Sequence, residues 1–174
     1  MALFYRSKEV LAANRSAQAE AYQSIRTNLQ FRLLDTGHQS LMVTSSLPEE
    51  GKTTTLANLA VSLARSGKRV IAVDADLRRP QLHHLFNVTN GAGLMEVLSS
   101  RLELRKTLQI TKYPNLRIMT AGATPLDAVA LLESEALKHT IDRLTGLCDY
   151  VLIDTPPVLP FSDTSILAQH THAV

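Results

Sequence analysis

Residues 46 to 53 place a lysine and a hydroxyl residue directly after a glycine, where a short apolar run gives way to an amphipathic one. The segment reads Ser-Leu-Pro-Glu-Glu-Gly-Lys-Thr. In a loop between a strand and a helix, main-chain N–H groups can surround a phosphate, Lys52 adds a full positive charge, and Thr53 can ligate Mg²⁺. Ser46 replaces the usual first glycine, and the alternative is an ordinary turn with an exposed lysine. We predict a nucleotide-phosphate site formed by the following residues: Ser46, Pro48, Glu49, Glu50, Gly51, Lys52, Thr53 and Thr54.

Carboxylates follow two further apolar runs. Asp74 and Asp76 come after residues 70–73, and Asp154 comes after residues 150–153. Residues two apart in an extended chain point to the same side, so Asp74 and Asp76 could face one site. Such close like charges repel unless a proton or a cation lies between them, and Mg²⁺ prefers a few carboxylates together with water and phosphate oxygens. We therefore predict a site for a nucleotide with Mg²⁺; the alternative for this segment is a solvated, Asp-rich turn.

Four short apolar runs predict the strands that would position these groups. They are residues 41–44, 70–73, 116–119 and 150–153. Runs that are apolar throughout are typical of parallel strands covered on both faces. Because amphipathic segments separate them, the predicted fold class is α/β, with a doubly wound, mostly parallel sheet. Ligands of such sheets bind outside the carboxyl ends of the strands, where the phosphate loop and the three aspartates are expected.

Helical spacing and local end signals predict the helices between these strands. The predicted helices span residues 16–34, 52–65, 80–86 and 93–98, with one or two more within 125–147. The apolar face of the first is formed by Ala21, Ile25, Leu29 and Leu33. Pro80 suits the first position of its helix, and Gly67 suits a left-handed residue after the second.

Size and composition exclude several classes of protein. The chain has 174 residues, 45% hydrophobic and 20% charged, which fits a packed domain and excludes disordered or fibrous classes. We expect residues 1–15 to be a mobile lead-in and residues 16–174 to form the domain. A formal net charge of +2 gives no reason to expect binding to nucleic acid or to an anionic membrane. Cys148, the single cysteine, indicates a buried thiol in a reducing, cytoplasmic setting.

Taken together, these motifs resemble those of the bacterial protein-tyrosine kinases (BY-kinases) of capsule and exopolysaccharide synthesis, P-loop proteins related to the MinD and ParA ATPases. The resembling segments are residues 19–29 ahead of the core, 43–53 with the Walker A motif, 73–80 as a second Walker A-like motif, and 152–157 as Walker B. The leading segment separates this family from Par- and Min-type ATPases, which usually begin at the first strand. Those ATPases also carry an extra lysine early in the loop, which Leu47, Pro48 and Glu49 do not supply.

The resemblance implies ATP and Mg²⁺ as cofactors and assigns roles to five residues. Lys52 would bind and polarise the β and γ phosphates, and Thr53 would ligate Mg²⁺. Asp76 and Asp154 would order the water shell of the metal, and Asp74 would activate the tyrosine hydroxyl. Lys52, Asp74 and Asp76 are thus the catalytic candidates.

The resemblance also implies an autokinase that regulates polysaccharide synthesis and export at the inner face of the plasma membrane. Its partners would be a transmembrane polysaccharide co-polymerase or activator, fused or separate, a cognate tyrosine phosphatase, and further copies of itself, but no nucleic acid. Self-association would use Glu20 and Arg26, although Gln23 stands where the family has a second arginine. The tyrosine-rich tail of the family does not occur in the sequence.

Two other functions are open at this point. One is a MinD- or ParA-like partitioning or positioning ATPase, and the other is a non-catalytic, nucleotide-binding regulator of polysaccharide export. The family would continue with another strand and further helices after residue 174. We therefore expect a domain that is truncated at its C-terminus, has an uncovered edge beside the Walker A strand, and binds nucleotide weakly unless completed.

Overall fold

The computed structural model describes residues 17–34, 39–125 and 127–174, so the expected lead-in, residues 1–15, lies outside it. Within these ranges the strands are β1 (Ser40–Val43), β2 (Val70–Asp74), β3 (Leu108–Ile110), β4 (Leu116–Met119) and β5 (Tyr150–Asp154). They form one sheet in the order β1-β5-β2-β4-β3, with β3 antiparallel to β4 and every other pair parallel. The predicted mostly parallel α/β sheet is confirmed, while β3 was not expected.

Helices cover both faces of the sheet. The helices are α1 (Ala17–Leu34), α2 (Lys52–Arg65), α3 (Leu82–Phe86), α4 (Leu94–Leu98), α5 (Ala128–Leu132), α6 (Glu135–Thr145) and α7 (Asp163–Ala168), with a 3₁₀ turn at Leu104–Thr107. The prediction for α2 is confirmed at both ends, and Gly67 has the left-handed φ of +87° that was expected after it. Helix α7 was not predicted.

The predicted start of α3 at Pro80 is wrong by two residues. The helix begins at Leu82, and Gln81 precedes it as the cap. The N–H groups of Gln81 and Leu82 both donate to the Asp74 carboxylate at 3.0 Å. The first N–H groups of a helix have no partner within it, so the position of this carboxylate determines where α3 begins.

The predicted apolar face of α1 is wrong at Ala21 and Ile25 and confirmed at Leu29, while the side chain of Leu33 lies outside the part of the chain that the structure describes. Ala21 is exposed and Ile25 is 41% exposed, whereas Leu29 packs against the core. Arg26 is half-buried, and one of its guanidinium N–H groups donates to the Ser62 carbonyl of α2 at 3.2 Å. The helix is therefore rotated so that a polar contact with α2, together with Leu29, faces inward.

The strands bury apolar side chains on both faces, which is why their sequences lack polar alternation. One cluster joins α2 to Leu41, Val70, Ala72, Leu116, Ile118, Tyr150 and Leu152. The opposite cluster joins α4, α6 and α7 to Met42, Ile71, Val73, Met119, Val151 and Ile153. Successive residues of a strand point to opposite faces, so the two helical layers fix the register of each strand.

The outer edge of β1 is partly covered, contrary to expectation. Ala173 pairs with Leu41 in parallel orientation. The Met42 N–H donates to the Ala173 carbonyl at 2.8 Å, and the Ala173 N–H donates to the Ser40 carbonyl at 3.2 Å. These bonds satisfy main-chain groups of β1 that the absence of a neighbouring strand would have left open.

Gly93 provides a first test of the packing at the carboxyl end of β4. A Cβ at this position would overlap the carbonyl oxygen of Thr120 and approach the main-chain nitrogen of Gly122 to 2.7 Å. We expect Gly93→Ala to lower the free energy of unfolding by about 2–3 kcal/mol, because backbone atoms must move to admit the methyl group. Gly91→Ala is the matched control, since a Cβ there meets nothing within 4 Å. Equal urea midpoints for the two variants would contradict the prediction.

Candidate nucleotide and magnesium site

The parallel strands β1, β2 and β5 bring the predicted site residues to one edge of the sheet. In the register, Asp154 lies opposite Val43 on one side and opposite Asp74 on the other. The phosphate loop leaves β1 at this edge, and α2 begins there at Lys52. Groups that are far apart in the sequence therefore lie beside one another.

The phosphate loop has an exposed rim and a buried end. Residues 46–50 are exposed, whereas Thr53, in the first turn of α2, is buried. The Leu47 N–H donates to the Glu50 carboxylate at 2.9 Å, which closes the loop on itself. Gly51 has a φ of +88°, in the left-handed region that favours glycine, and this turn directs the chain into α2. Of the predicted contacts, Ser46, Pro48, Glu49 and Glu50 lie on the rim, and Gly51, Lys52, Thr53 and Thr54 lie at the helix end.

Lys52 and Asp76 form the ion pair at the centre of the site. The Lys52 ammonium lies 3.4 Å from Asp76 Oδ2, with side-chain exposures of only 12% and 6%. Asp76 Oδ1 accepts the N–H groups of Arg78 at 3.3 Å and Arg79 at 2.9 Å. The main chain thus fixes one oxygen of this carboxylate and leaves the other directed toward the lysine.

Asp154 has the environment expected of a residue beside a cation. It is fully buried, and neither carboxylate oxygen has a hydrogen-bond partner among the described residues. Burial raises its pKa to about 7, while the nearby Thr53 hydroxyl and Lys52 ammonium oppose this shift. A buried carboxylate without partners is costly, and a bound cation removes that cost. The chemistry of this position therefore fits Mg²⁺.

The set of donors also fits Mg²⁺ better than a metal held entirely by protein. No group of three or more His, Cys, Asp or Glu side chains is placed to enclose an ion within the part of the chain described here. Mg²⁺ usually keeps several waters and binds one or two carboxylates along with substrate phosphates. Asp76, Asp154 and the Thr53 hydroxyl would supply the protein share of such a shell.

Asp74 is tied to the main chain more firmly than the sequence indicated. It is fully buried, Oδ1 accepts the Asp76 N–H at 3.2 Å, and Oδ2 accepts those of Gln81 and Leu82. Burial first, and then the neighbouring Asp154 carboxylate, raise its pKa to about 8. Asp74 therefore orders the loop between β2 and α3, and its role toward a tyrosine hydroxyl stays a prediction.

Two threonine hydroxyls that the sequence did not single out join the strands beneath the site. Thr155 Oγ1 donates to the Val43 carbonyl, and Thr44 Oγ1 donates to the Pro156 carbonyl, each at 3.1 Å. They connect the ends of β1 and β5, and so hold Asp154 below the phosphate loop. Their partners are 112 residues away in the sequence, and no local pattern identifies them.

Known proteins share both this sequence and this arrangement. The family model described as AAA domain matches residues 49–172. Tyrosine-protein kinase YwqD of Bacillus subtilis is 39% identical over 88% of the chain and 65% of its own length. The putative tyrosine-protein kinase CapB of Staphylococcus aureus is 30% identical over 89% of the chain and 68% of its own length. The chain belongs to the bacterial tyrosine-protein kinase family. The resemblance noted in the sequence is thereby confirmed.

Solved structures of this family and of its wider class are similar as well. The kinase domain of the Escherichia coli tyrosine kinase ETK superimposes with a TM-score of 0.90 and 32% identity. The alignment covers 94% of this chain and 64% of the ETK chain. The septum site-determining protein MinD from Pyrococcus horikoshii, complexed with Mg-ADP, superimposes with a TM-score of 0.67 and 29% identity. The alignment covers 78% of this chain and 56% of the MinD chain.

The family members that the chain matches differ widely in length. The chain spans 65% of YwqD but only 23% of the Escherichia coli tyrosine-protein kinase etk. Among the residues that the structure describes, no helix is both long and apolar enough to cross a membrane.

Proposed function

We propose that this chain carries the ATP-binding and phosphoryl-transfer centre of a protein-tyrosine autokinase that regulates capsule or exopolysaccharide synthesis. The observation that supports it most directly is the buried Lys52–Asp76 pair beside Asp154, whose carboxylate oxygens have no hydrogen-bond partner in the described structure. This arrangement offers one cation to phosphate oxygens and two carboxylates to a metal. The similarity to the tyrosine-protein kinase YwqD and the putative tyrosine-protein kinase CapB adds support for tyrosine as the acceptor.

Each residue of the site would contribute a distinct step. Lys52 would move from Asp76 to the β and γ phosphates, where its charge counters the charge that develops during transfer. Thr53, Asp76 and Asp154 would hold Mg²⁺, which supplies charge neutralisation and alignment of the phosphates when bound. Asp74 would accept the proton of the attacking tyrosine hydroxyl in its ionised form. Its pKa of about 8 keeps it mostly protonated near neutral pH in the nucleotide-free protein, and a bound cation would favour the ionised form that this role needs.

The coverage of the solved structures favours a kinase over a positioning ATPase. The ETK kinase domain matches 94% of the chain, but the MinD structure matches 78%. Salt-sensitive DNA binding, or ATP-dependent dimerisation on lipid, would favour the positioning ATPase instead. A non-catalytic regulator would bind Mg²⁺ and nucleotide without transferring phosphate.

The proposed partners are a transmembrane activator, a cognate tyrosine phosphatase and further copies of the protein, at the inner face of the plasma membrane. The structure limits how α1 could serve self-association. Arg26 already donates to Ser62 of the same chain, so α1 presents Glu20, Gln23 and Ile25 to solvent. We propose that these three residues, rather than Arg26, form most of the contact with another copy.

Transfer to tyrosine can be tested separately from nucleotide hydrolysis. The protein would be incubated with γ-labelled ATP and Mg²⁺ in the presence of a glutamate–tyrosine copolymer, which supplies an acceptor independent of the chain. We expect labelled phosphotyrosine on phosphoamino-acid analysis, and none when EDTA removes Mg²⁺. Hydrolysis of ATP without phosphotyrosine in the protein or the copolymer would overturn the kinase proposal.

A further inference from the structure

Asp163, at the start of α7, is a buried carboxylate that the sequence did not mark as part of the site. It is 0% exposed. Arg78 Nε donates to its Oδ2 at 2.9 Å, and Arg78 Nη2 donates to its Oδ1 at 3.0 Å. A buried carboxylate is very costly unless a cation pairs with it, and two parallel N–H bonds give such a pair a fixed geometry. The fold therefore holds the Arg78 guanidinium in one place.

Further contacts connect this pair to the segment that follows β5. The Arg78 guanidinium lies over the Phe161 ring, with Cζ 4.5 Å from the centroid. Thr164, next to Asp163, donates its hydroxyl to the Pro156 carbonyl at 2.6 Å. Pro156 is two residues after Asp154, so this bond joins α7 to the end of β5.

The main chain of Arg78 acts on the other carboxylate of the site. Its N–H and that of Arg79 donate to Asp76 Oδ1, which leaves Oδ2 directed to Lys52. The Arg78–Asp163 pair thus joins the segment after β2, which carries Asp76, to the segment after β5, which begins at Asp154. These strands are neighbours in the sheet.

We propose that the Arg78–Asp163 pair is a positioning device that holds Asp76 and Asp154 at the separation needed by Mg²⁺ with a nucleotide. The proposal rests on the proposed function, because it assumes that the site binds Mg²⁺ with ATP or ADP. Both residues act through others: Arg78 through the main chain that holds Asp76, and Asp163 through the place it gives to Arg78. Outer partners of this kind affect metal affinity roughly 10- to 100-fold.

The test removes the pair without leaving a buried charge. The double variant Arg78→Gln/Asp163→Asn removes both charges together and keeps a polar side chain at each position, so we expect it to fold. The matched control is Arg69→Gln/Asp149→Asn, which removes an exposed pair with similar bonds of 3.3 and 2.7 Å at the opposite end of the strands. Two quantities are measured in the full protein: amide hydrogen exchange of residues 74–79 and 155–163 without nucleotide, and the ratio of ADP dissociation constants without and with Mg²⁺, by calorimetry.

We expect amide exchange in both segments to be faster in the double variant. The ratio of its ADP dissociation constants without and with Mg²⁺ should fall roughly 10- to 100-fold, while the control keeps wild-type values for both quantities. Arg78→Lys keeps a cation beside Asp163 but loses the paired bonds, so its ratio should fall by a smaller factor. This single variant decides the proposal if the double variant does not fold.

An unchanged Mg²⁺ ratio in a folded variant overturns the proposal, even if exchange is faster, because the pair would then be merely structural. Unchanged exchange in both segments overturns it too. A wild-type protein that binds no nucleotide, with or without Mg²⁺, overturns the proposed function instead; the exchange measurement then still decides whether the pair holds the two segments together.

Discussion

Replacing Lys52 with methionine should slow phosphorylation of tyrosine by roughly 100- to 1,000-fold, the usual cost of removing one preorganised group that stabilises transition-state charge. Lys52 is 12% exposed at its side chain and lies 3.4 Å from Asp76, so solvent cannot readily supply a substitute cation. Phosphoryl transfer depends mainly on positioning and charge neutralisation, which is why this substitution should exceed most others in effect. The rate would be measured with the glutamate–tyrosine copolymer at saturating ATP.

The control is Lys138→Met, which removes an exposed lysine of α6, a helix that contributes no residue to the phosphate loop or to the aspartate segments. It should leave the rate unchanged, and both variants should retain cooperative thermal unfolding. Lys52→Arg keeps the charge but changes its shape, and we expect an intermediate rate. Transfer by Lys52→Met at more than a tenth of the wild-type rate would contradict the assigned role of this lysine.

Much of the sheet could be predicted because its strands obey a local rule. β2 and β5 are buried on both faces, so each is a continuous apolar run, and each ends at an aspartate. Parallel strands end at the same edge, and this convergence places Asp74 opposite Asp154. The phosphate loop could also be predicted locally, because Gly51 and Lys52 lie where an apolar strand pattern changes to a helical one.

The remaining features depend on contacts between distant residues. β3 has three residues and is held by its pairing with β4, and α7 has only six. The orientation of α1 follows from a bond between Arg26 and Ser62, 36 residues away. The partners of the Arg78–Asp163 pair are 85 residues apart. No periodicity or end signal encodes such pairings, and they are the contacts that set the geometry of the site.

The nucleotide-free protein should lose stability as the pH rises from about 4 to about 8. The pKa is raised to about 8 for Asp74 and to about 7 for Asp154, from an ordinary value near 4, mainly by burial. The folded state therefore holds protons that the unfolded state has released in this range, and stability falls with pH. We expect the melting temperature to fall by roughly 5–10 °C between pH 5 and pH 8. Mg²⁺ with ADP should reduce this slope, since a bound cation favours the ionised carboxylates.

Asp154→Asn should separate two effects of this carboxylate: the stability that it costs the nucleotide-free protein and the stabilisation that it provides when Mg²⁺ and ADP bind. The oxygens of Asp154 have no hydrogen-bond partner in the described part of the chain, so an amide there loses no bond, unlike one at Asp74, whose oxygens accept three main-chain N–H groups. Without nucleotide, we expect this variant to melt roughly 3–6 °C above wild type at pH 8 and by a smaller margin at pH 5. It should also lose most of the stabilisation that Mg²⁺ with ADP gives the wild type. Scanning calorimetry measures all three quantities, and a variant that melts below wild type at pH 8 would mean that Asp154 stabilises the nucleotide-free fold, contrary to its raised pKa.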